Sequence, residues 1–262
     1  MLAAGIFPGM KPNERKWSSR LEKVIKFGKN ATGKPQFDGK NMERVLQRFL
    51  EKDLKLDPGI ALLEDSACKT FVCATRNQTA SKILFRSYRT THGTPAEYDV
   101  SVWEAARATS AAPLIFEPFH IERHLLTVVD GALRLNNPIH EAISEADRID
   151  ESRGFGCVVS IGTGVMDIQS IPRSNVKMHQ IAKTCVEISL NCEEVAQEFA
   201  SSYEGRNLRN SHRYFRFDVA RRMDAVDLVD WQRFNDIEAY VDQYLDRSDV
   251  NDDMKRCADA LS

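Results

Sequence analysis

The sequence predicts an α/β domain organised on a largely parallel sheet. Runs rich in β-branched and aromatic residues alternate with segments of helical periodicity. The run CVVSIG at 157–162 is continuously apolar, as in a strand covered on both faces. A chain of 262 residues, 42% hydrophobic, is long enough to bury one sizeable core. We therefore expect a single domain over 1–262, with 220–262 as its helical C-terminal part.

The elements follow in order. Trp17, Leu21, Val24 and Ile25 recur at helical spacing, as do Met42, Val45, Leu46, Phe49 and Leu50 after an N-cap at Asp38. The segment FGKNATGKPQF between them has loop composition. KTFVCAT (69–75) and KILFRSYR (82–89), separated by the polar RNQTAS, read as two strands and a loop. SVWEAARATSAA (101–112) reads as an Ala-rich helix stopped by Pro113. LLTVVD (125–130) reads as a strand ending on a carboxylate, followed by a helix with Asn137 as N-cap and Pro138 at its first position. The inner face of that helix is Ile139, Ala142, Ile143 and Ala146. Residues 176–203 look helical, YFRFDV (214–219) reads as a strand, and 231–246 as a closing helix with Trp231, Phe234, Ile237 and Tyr244 inward. No internal repeat is visible.

Charge narrows the partners. With 36 basic and 38 acidic side chains, the chain has no overall attraction to nucleic acid. Locally, residues 11–56 carry 13 Lys/Arg against 6 Asp/Glu, and 221–262 carry 6 against 11. The basic amphipathic region 13–52 is a candidate for peripheral contact with an anionic membrane, an ordinary solvated helix face being the plainer reading. The six cysteines show no CxxC or Cys/His metal spacing and read as reduced core thiols. No run approaches the ~18 apolar residues of a membrane span, and MLAAGIFPGMKP lacks the leading positive charge of a signal peptide. A soluble, cytoplasmic protein, with peripheral membrane contact as a variant, is the expectation.

Asp130 is the residue that asks for a role. In open α/β sheets ligands sit beyond the carboxyl ends of strands, and Asp130 lies where a strand ends and a helix is about to start. Gly131 is read as permitting a backbone angle that other residues resist, and Ala132 as keeping the approach uncrowded. Asp-Gly alone is a common turn, so the triplet carries little by itself.

Taken together, VWEAARATSAAPLIFEPFHI, VVDGALRLNNPIHEAISEADRI and CVVSIGTGV resemble, in this order, the patatin-like phospholipases. The resemblance is strongest over 102–165 and extends loosely from about 37 to 219. It implies a three-layer α/β/α fold and a lipid acyl hydrolase, a phospholipase or lipase of lipid catabolism, working through a Ser-Asp dyad. Asp130, Gly131 and Ala132 match the Asp-Gly-Ala/Gly motif, with Asp130 as general base. No metal or organic cofactor is implied, and the substrate is a phospholipid or related lipid. The Ala-Thr-Ser-Ala-Ala-Pro run at 108–113 matches a family segment packed near the site, without a catalytic role.

The serine side of the dyad is not in these 262 residues. No serine stands between glycines two residues away on each side. Ser160 has Gly162 after it but Val158 before it and reads as a strand residue, while Ser110 lies in a helix. The family's glycine-rich oxyanion loop is also absent, and MLAAGIFPGMKP is similar to the helix that directly follows the nucleophile elbow. The chain is thus expected to match the family domain without its first strand, oxyanion loop and elbow. A shortened reading frame of an active enzyme and a natural product that no longer catalyses both fit. The isolated piece is expected to expose apolar surface and a sheet edge. A non-catalytic lipid- or partner-binding module is the alternative function.

Three weaker signals are set aside. His120, His124 and His140 fit no metal spacing. Gly162 and Gly164 in SIGTGV lack the third glycine of a dinucleotide loop, and position 167 is Asp. The glutamates of EEVAQEFASSYEG (193–205) are expected to face solvent rather than form an acid pair.

Overall fold

The computed structural model describes residues 35, 37–64, 68–90, 98–113, 115–164, 192–219 and 231–262. They divide into two compact units, one running to Asn136 and the other from Asn137 onward.

The first unit begins with α1 (Gly39–Arg48), capped by Asp38, whose side chain accepts the Lys40 N–H at 2.9 Å. A π-helical turn over Phe49–Asp53 continues it. Met42 and Leu50 are buried while Lys40, Arg44 and Arg48, each four residues from the next, are exposed, which is the expected two-faced helix. The basic helix read over Trp17, Leu21, Val24 and Ile25 lies outside the described residues.

Strands β1 (Phe71–Arg76), β2 (Lys82–Arg86), β3 (Phe119–Ile121) and β4 (Leu126–Asp130) form one sheet in the order β2-β1-β4-β3. Every pairing in it is antiparallel, which departs from the parallel sheet expected. The loops explain two of the three pairings, β1 with β2 and β3 with β4. Five residues join β1 to β2, and a 3-10 turn over Glu122–His124 with Leu125 joins β3 to β4. Connections this short can only link antiparallel neighbours, because a parallel crossover needs a dozen residues or more.

The period of two in each strand sorts the sheet into faces. Ala74, Ile83, Phe85, Phe119, Ile121, Leu126 and Val128 share one face and pack with Ala105 and Ala108 of α2 (Val102–Thr109). Two alanines one turn apart leave no bulk between helix and sheet, so α2 seats closely. Its start is fixed by a capping box in which Ser101 accepts from the Glu104 N–H and Glu104 accepts from the Ser101 N–H at 2.7 Å. The helix ends at Thr109, three residues earlier than its Ala-rich composition suggested. A four-residue helix, α3 (Ala132–Leu135), follows β4 directly.

The second unit holds α4 (Ile139–Ile149), β5 (Val158–Ile161), α5 (Cys192–Ser201), α6 (Tyr203–Asn210), β6 (Tyr214–Phe217), α7 (Phe234–Leu245) and α8 (Ser248–Leu261). β5 and β6 pair in parallel, Val158 opposite Tyr214 and Ile161 opposite Phe217. Its core gathers Ile139, Ile143, Phe199, Leu208 and Tyr214. Asn137 does assist the start of α4, its Oδ1 accepting the Ile139 N–H at 3.3 Å, although Pro138 occupies the position before the first helical residue.

Two burial expectations are corrected. CVVSIG is not covered on both faces: Val159 is 39% exposed and Ile161 77%. The run reads as buried because its composition is apolar, yet only Ser160 among its strand residues is buried. Phe234, the first residue of α7 after a 3-10 turn over Trp231–Arg233, is 67% exposed rather than inward. The predicted helix 176–203 is met by α5 over its last part, and its earlier residues lie outside the described ones. No described helix is long and apolar enough to cross a membrane.

Candidate active site

Asp130 closes β4, opposite Ala74 of β1. Its backbone N–H donates to the Ala111 carbonyl at 3.0 Å, so the end of the strand is tied to the segment that follows α2. Its side chain shares the α2-facing side of the strand with Leu126 and Val128. Among the described residues, its carboxylate accepts one hydrogen bond, from the Ala132 N–H at 2.7 Å. Burial pushes its carboxyl above the ordinary carboxylate range, and the Ala132 N–H offsets part of the rise. A half-buried carboxylate with raised basicity and uncommitted lone pairs has the properties of a general base.

Gly131 is required for a different reason from the one the sequence suggested. Its φ of −65° is helical and open to any residue. What excludes a side chain is distance: a Cβ there would stand 2.3 Å from the Cys73 carbonyl oxygen and 2.6 Å from its carbon. The glycine lets α3 start against the backbone of β1, which turns the chain at once and leaves Asp130 at the corner.

A cavity of about 330 Å³ lies in the same unit, lined by Thr75, Pro113, Phe116, Val129 and Leu133 among others. Val129 alternates with Asp130, so this space borders the sheet face turned away from the carboxylate.

Among the described residues of the first unit, no other sequence candidate hydrogen-bonds to the Asp130 carboxylate. Ser110 caps the C-terminus of α2 and donates its hydroxyl to the Ala106 carbonyl at 2.8 Å. Ser160 belongs to the second unit and its Oγ accepts from Arg216 Nη1 at 2.9 Å. His120 Nδ1 stands 3.0 Å from Thr127 Oγ1, His124 Nε2 stands 2.9 Å from the Asp99 carbonyl, and His140 lies edge-on to Phe199. Among the described residues no three His, Cys, Asp or Glu side chains gather as metal ligands. Gly162 and Gly164 wrap the Asp218 carboxylate instead of a phosphate: the Gly164 N–H donates to Asp218 Oδ1 at 2.7 Å, with φ +112° at that glycine. Of the acidic run at 193–205, Glu194 and Glu198 are exposed and Glu193 is half-buried against Gln197.

Two features escaped the sequence reading. One is the Cys73 carbonyl beneath Gly131, which only the pairing of β1 with β4 brings there. The other is the Arg216–Asp218 ion pair at the end of β6. Charges alternating with phenylalanine in YFRFDV were its available signal, because a charge inside an apolar strand needs a partner.

The patatin-like phospholipase family model matches residues 1–143, which include α1, the four-stranded sheet and the Asp130–Ala132 corner. The chain belongs to the patatin-like phospholipase family. It is 26% identical over 231 residues to calcium-independent phospholipase A2-gamma of Rattus norvegicus, covering 86% of this chain and 29% of that protein. Identity to phospholipase A I of Arabidopsis thaliana is 23% over 272 residues, 87% of this chain and 20% of the relative. A second Arabidopsis protein, probable inactive patatin-like protein 9, is 27% identical over 149 residues, 52% of this chain and 37% of its own length. This patatin-like chain therefore spans less than a third of the rat phospholipase it matches.

Proposed function

We propose that this chain carries the aspartate half of a lipid acyl hydrolase that works through a Ser-Asp dyad. Asp130 would take the proton of a serine hydroxyl as its oxygen bonds to the ester carbonyl carbon. It would return that proton to the lipid's departing alkoxide as the ester C–O bond breaks, leaving an acyl-serine. Water, deprotonated by the same carboxylate, would then release the fatty acid and restore the serine. No histidine is needed for this sequence of steps. The observation that carries the reading is Asp130 itself: a strand-end carboxylate, made more basic by burial and holding one hydrogen bond among the described residues.

The serine would have to come from outside these 262 residues, since none here stands in a Gly-x-Ser-x-Gly context. The chain alone should therefore hydrolyse phospholipid or simple esters no faster than its Asp130→Ala variant. Intact mass and N-terminal peptide mapping of the protein from its own cells test the proposal. A heavier protein with an upstream Gly-x-Ser-x-Gly peptide supports the hydrolase. A protein of 29.7 kDa beginning at Met1 overturns it.

That second outcome would favour a non-catalytic, lipid- or partner-binding role at a cytoplasmic membrane surface. The exposed ridge of Lys40, Arg44 and Arg48 on α1 supports this reading, as does the likeness to a relative described as probably inactive. Salt-sensitive binding to anionic but not neutral vesicles is its signature.

A further inference from the structure

Two cysteines far apart in the chain meet in the second unit. Cys157 stands immediately before β5 and Cys257 on α8, and their thiols hydrogen-bond to each other. The packing of the unit brings them there. β5 pairs in parallel with β6, α8 lies against β6, and α8 buries Val250 and Cys257 as its inner stripe, about two turns apart. Both thiols are free.

Their surroundings differ in a way that suits a two-step reaction. Cys257 is buried and Cys157 half-buried. The segment leading to Cys157 is open as well: Glu151, Ser152, Arg153, Gly154 and Gly156 are exposed, and a Cβ at either glycine would meet nothing within 4 Å. A small oxidant can thus reach Cys157 from solvent, while Cys257 waits behind it as the thiol that resolves the product. A disulfide needs its two sulfurs to face each other at short range, and a thiol–thiol hydrogen bond already faces them.

We propose that Cys157 and Cys257 are a redox pair, closed by a peroxide to an intramolecular disulfide that fastens α8 to the start of β5, and reopened by a thiol reductant. The Cys157 sulfur attacks one peroxide oxygen, so that an S–O bond forms, the O–O bond breaks, and the other oxygen takes the thiol proton and leaves as water or an alcohol. The Cys257 sulfur then attacks the Cys157 sulfenic acid: the S–S bond forms, the S–O bond breaks, and the hydroxyl leaves with the Cys257 proton as water. Two electrons pass from the two thiols to one peroxide. The pair lies in the second unit and does not rest on the role of Asp130.

Burial, and after it the neighbouring Cys257, push the Cys157 thiol above its usual pKa. The attacking thiolate is therefore scarce at neutral pH, and closure should quicken about tenfold from pH 7 to pH 8.

The test uses the 262-residue chain, treated with hydrogen peroxide, alkylated with N-ethylmaleimide and mapped by mass spectrometry without reduction, exposed Cys68 serving as the internal standard for oxidant. The expected result is a cross-linked pair of peptides holding residues 157 and 257, lost on adding dithiothreitol, in a chain that melts higher than its reduced form because the bond restrains the unfolded state. In Cys257→Ser the cross-link should vanish and dimedone should capture Cys157 as its sulfenic acid. The wild-type map needs no variant, so a poorly folding Cys257→Ser leaves the test intact. Oxidation of Cys68 without a 157–257 cross-link overturns the proposal, as does a cross-link of either residue to any other cysteine, or a joined chain that melts no higher than the reduced one.

Discussion

Gly131 and Cys73 stand so close that a single added methyl at residue 131 would reach 2.3 Å from the Cys73 carbonyl oxygen. The contact is with backbone in a paired strand, which cannot swing aside as a side-chain tip can. Gly131→Ala is therefore expected to destabilise the first unit by about 1–3 kcal/mol, the range for forced overpacking. Gly154→Ala, where the new Cβ meets nothing within 4 Å, is the control and should move stability far less. Urea denaturation of both variants reads the difference. Equal effects at the two positions would remove the steric account of the Asp-Gly corner.

Asp130 should be a stability liability at neutral pH. Burial raises its carboxyl pKa in the folded chain, so the folded state holds the proton more tightly than the unfolded state does. Its contribution is thus fully favourable below the unfolded carboxylate range and is lost as pH rises through the raised folded value. Asp130→Asn, which removes the charge, is expected to gain about 0.5–1 kcal/mol at pH 7. The gain should shrink toward zero near pH 3. Denaturation midpoints of both proteins across that interval decide it, and a gain independent of pH would point away from ionisation as the cause.

What the sequence disclosed depended on the range of the interaction. Asp38 as a cap, the face of Met42 and Leu50, and the strand pair on either side of RNQTAS are local patterns, and the structure has all three. The corner at Asp130 was also visible, because an apolar run that stops on a carboxylate before a glycine is itself local. The antiparallel order β2-β1-β4-β3 was less visible: it depends on β1 meeting β4 across more than fifty residues, although the short connections already argued for it. The exposure of Ile161 and Phe234 could not be read at all, since apolar composition does not say which neighbours arrive to cover a side chain. A cavity of about 410 Å³ in the second unit was hidden for the same reason, being assembled from α5, the end of α6, β6 and α8.

Glu104 couples the cap of α2 to the β3–β4 turn. Besides closing the capping box, its carboxylate accepts from Arg123 Nη1 at 2.8 Å and Nη2 at 2.5 Å. Burial alone would raise its pKa, but the bonds from Arg123 and Ser101 outweigh it and hold the carboxyl below the usual range. A lowered folded value gives stability that is present above the unfolded range and lost as pH falls through the folded one. Glu104→Gln should lose about 1–2 kcal/mol at pH 7, with the gap to wild type narrowing below about pH 4. Thermal melts at several pH values check this. A constant gap would assign the loss to packing instead of charge.

Arg107 is the largest of the fully buried side chains. It lies between the rings of Phe116 and Phe119, 5.5 and 5.4 Å from their centroids, and donates Nη2 to the Glu117 carbonyl at 3.0 Å. Glu43 on α1 is its ion-pair partner, with 3.6 Å from Nε to the carboxylate, and Nε and Nη1 have no hydrogen-bond partner among the described residues. Burial lowers the Arg107 pKa and raises that of Glu43, and the opposite charge of each partner offsets part of the other's shift. Removing one partner should leave the buried guanidinium uncompensated, and Glu43→Leu is expected to cost about 1–3 kcal/mol, less than a fully enclosed pair because Glu43 is partly open to water. Replacing both by apolar residues, Glu43→Leu with Arg107→Met, should recover most of that loss, since the rings of Phe116 and Phe119 already provide an apolar slot. A double-mutant cycle in denaturant measures the coupling directly. If the double variant loses the sum of the two single losses, Arg107 holds α1 through packing and its charge contributes nothing to the join.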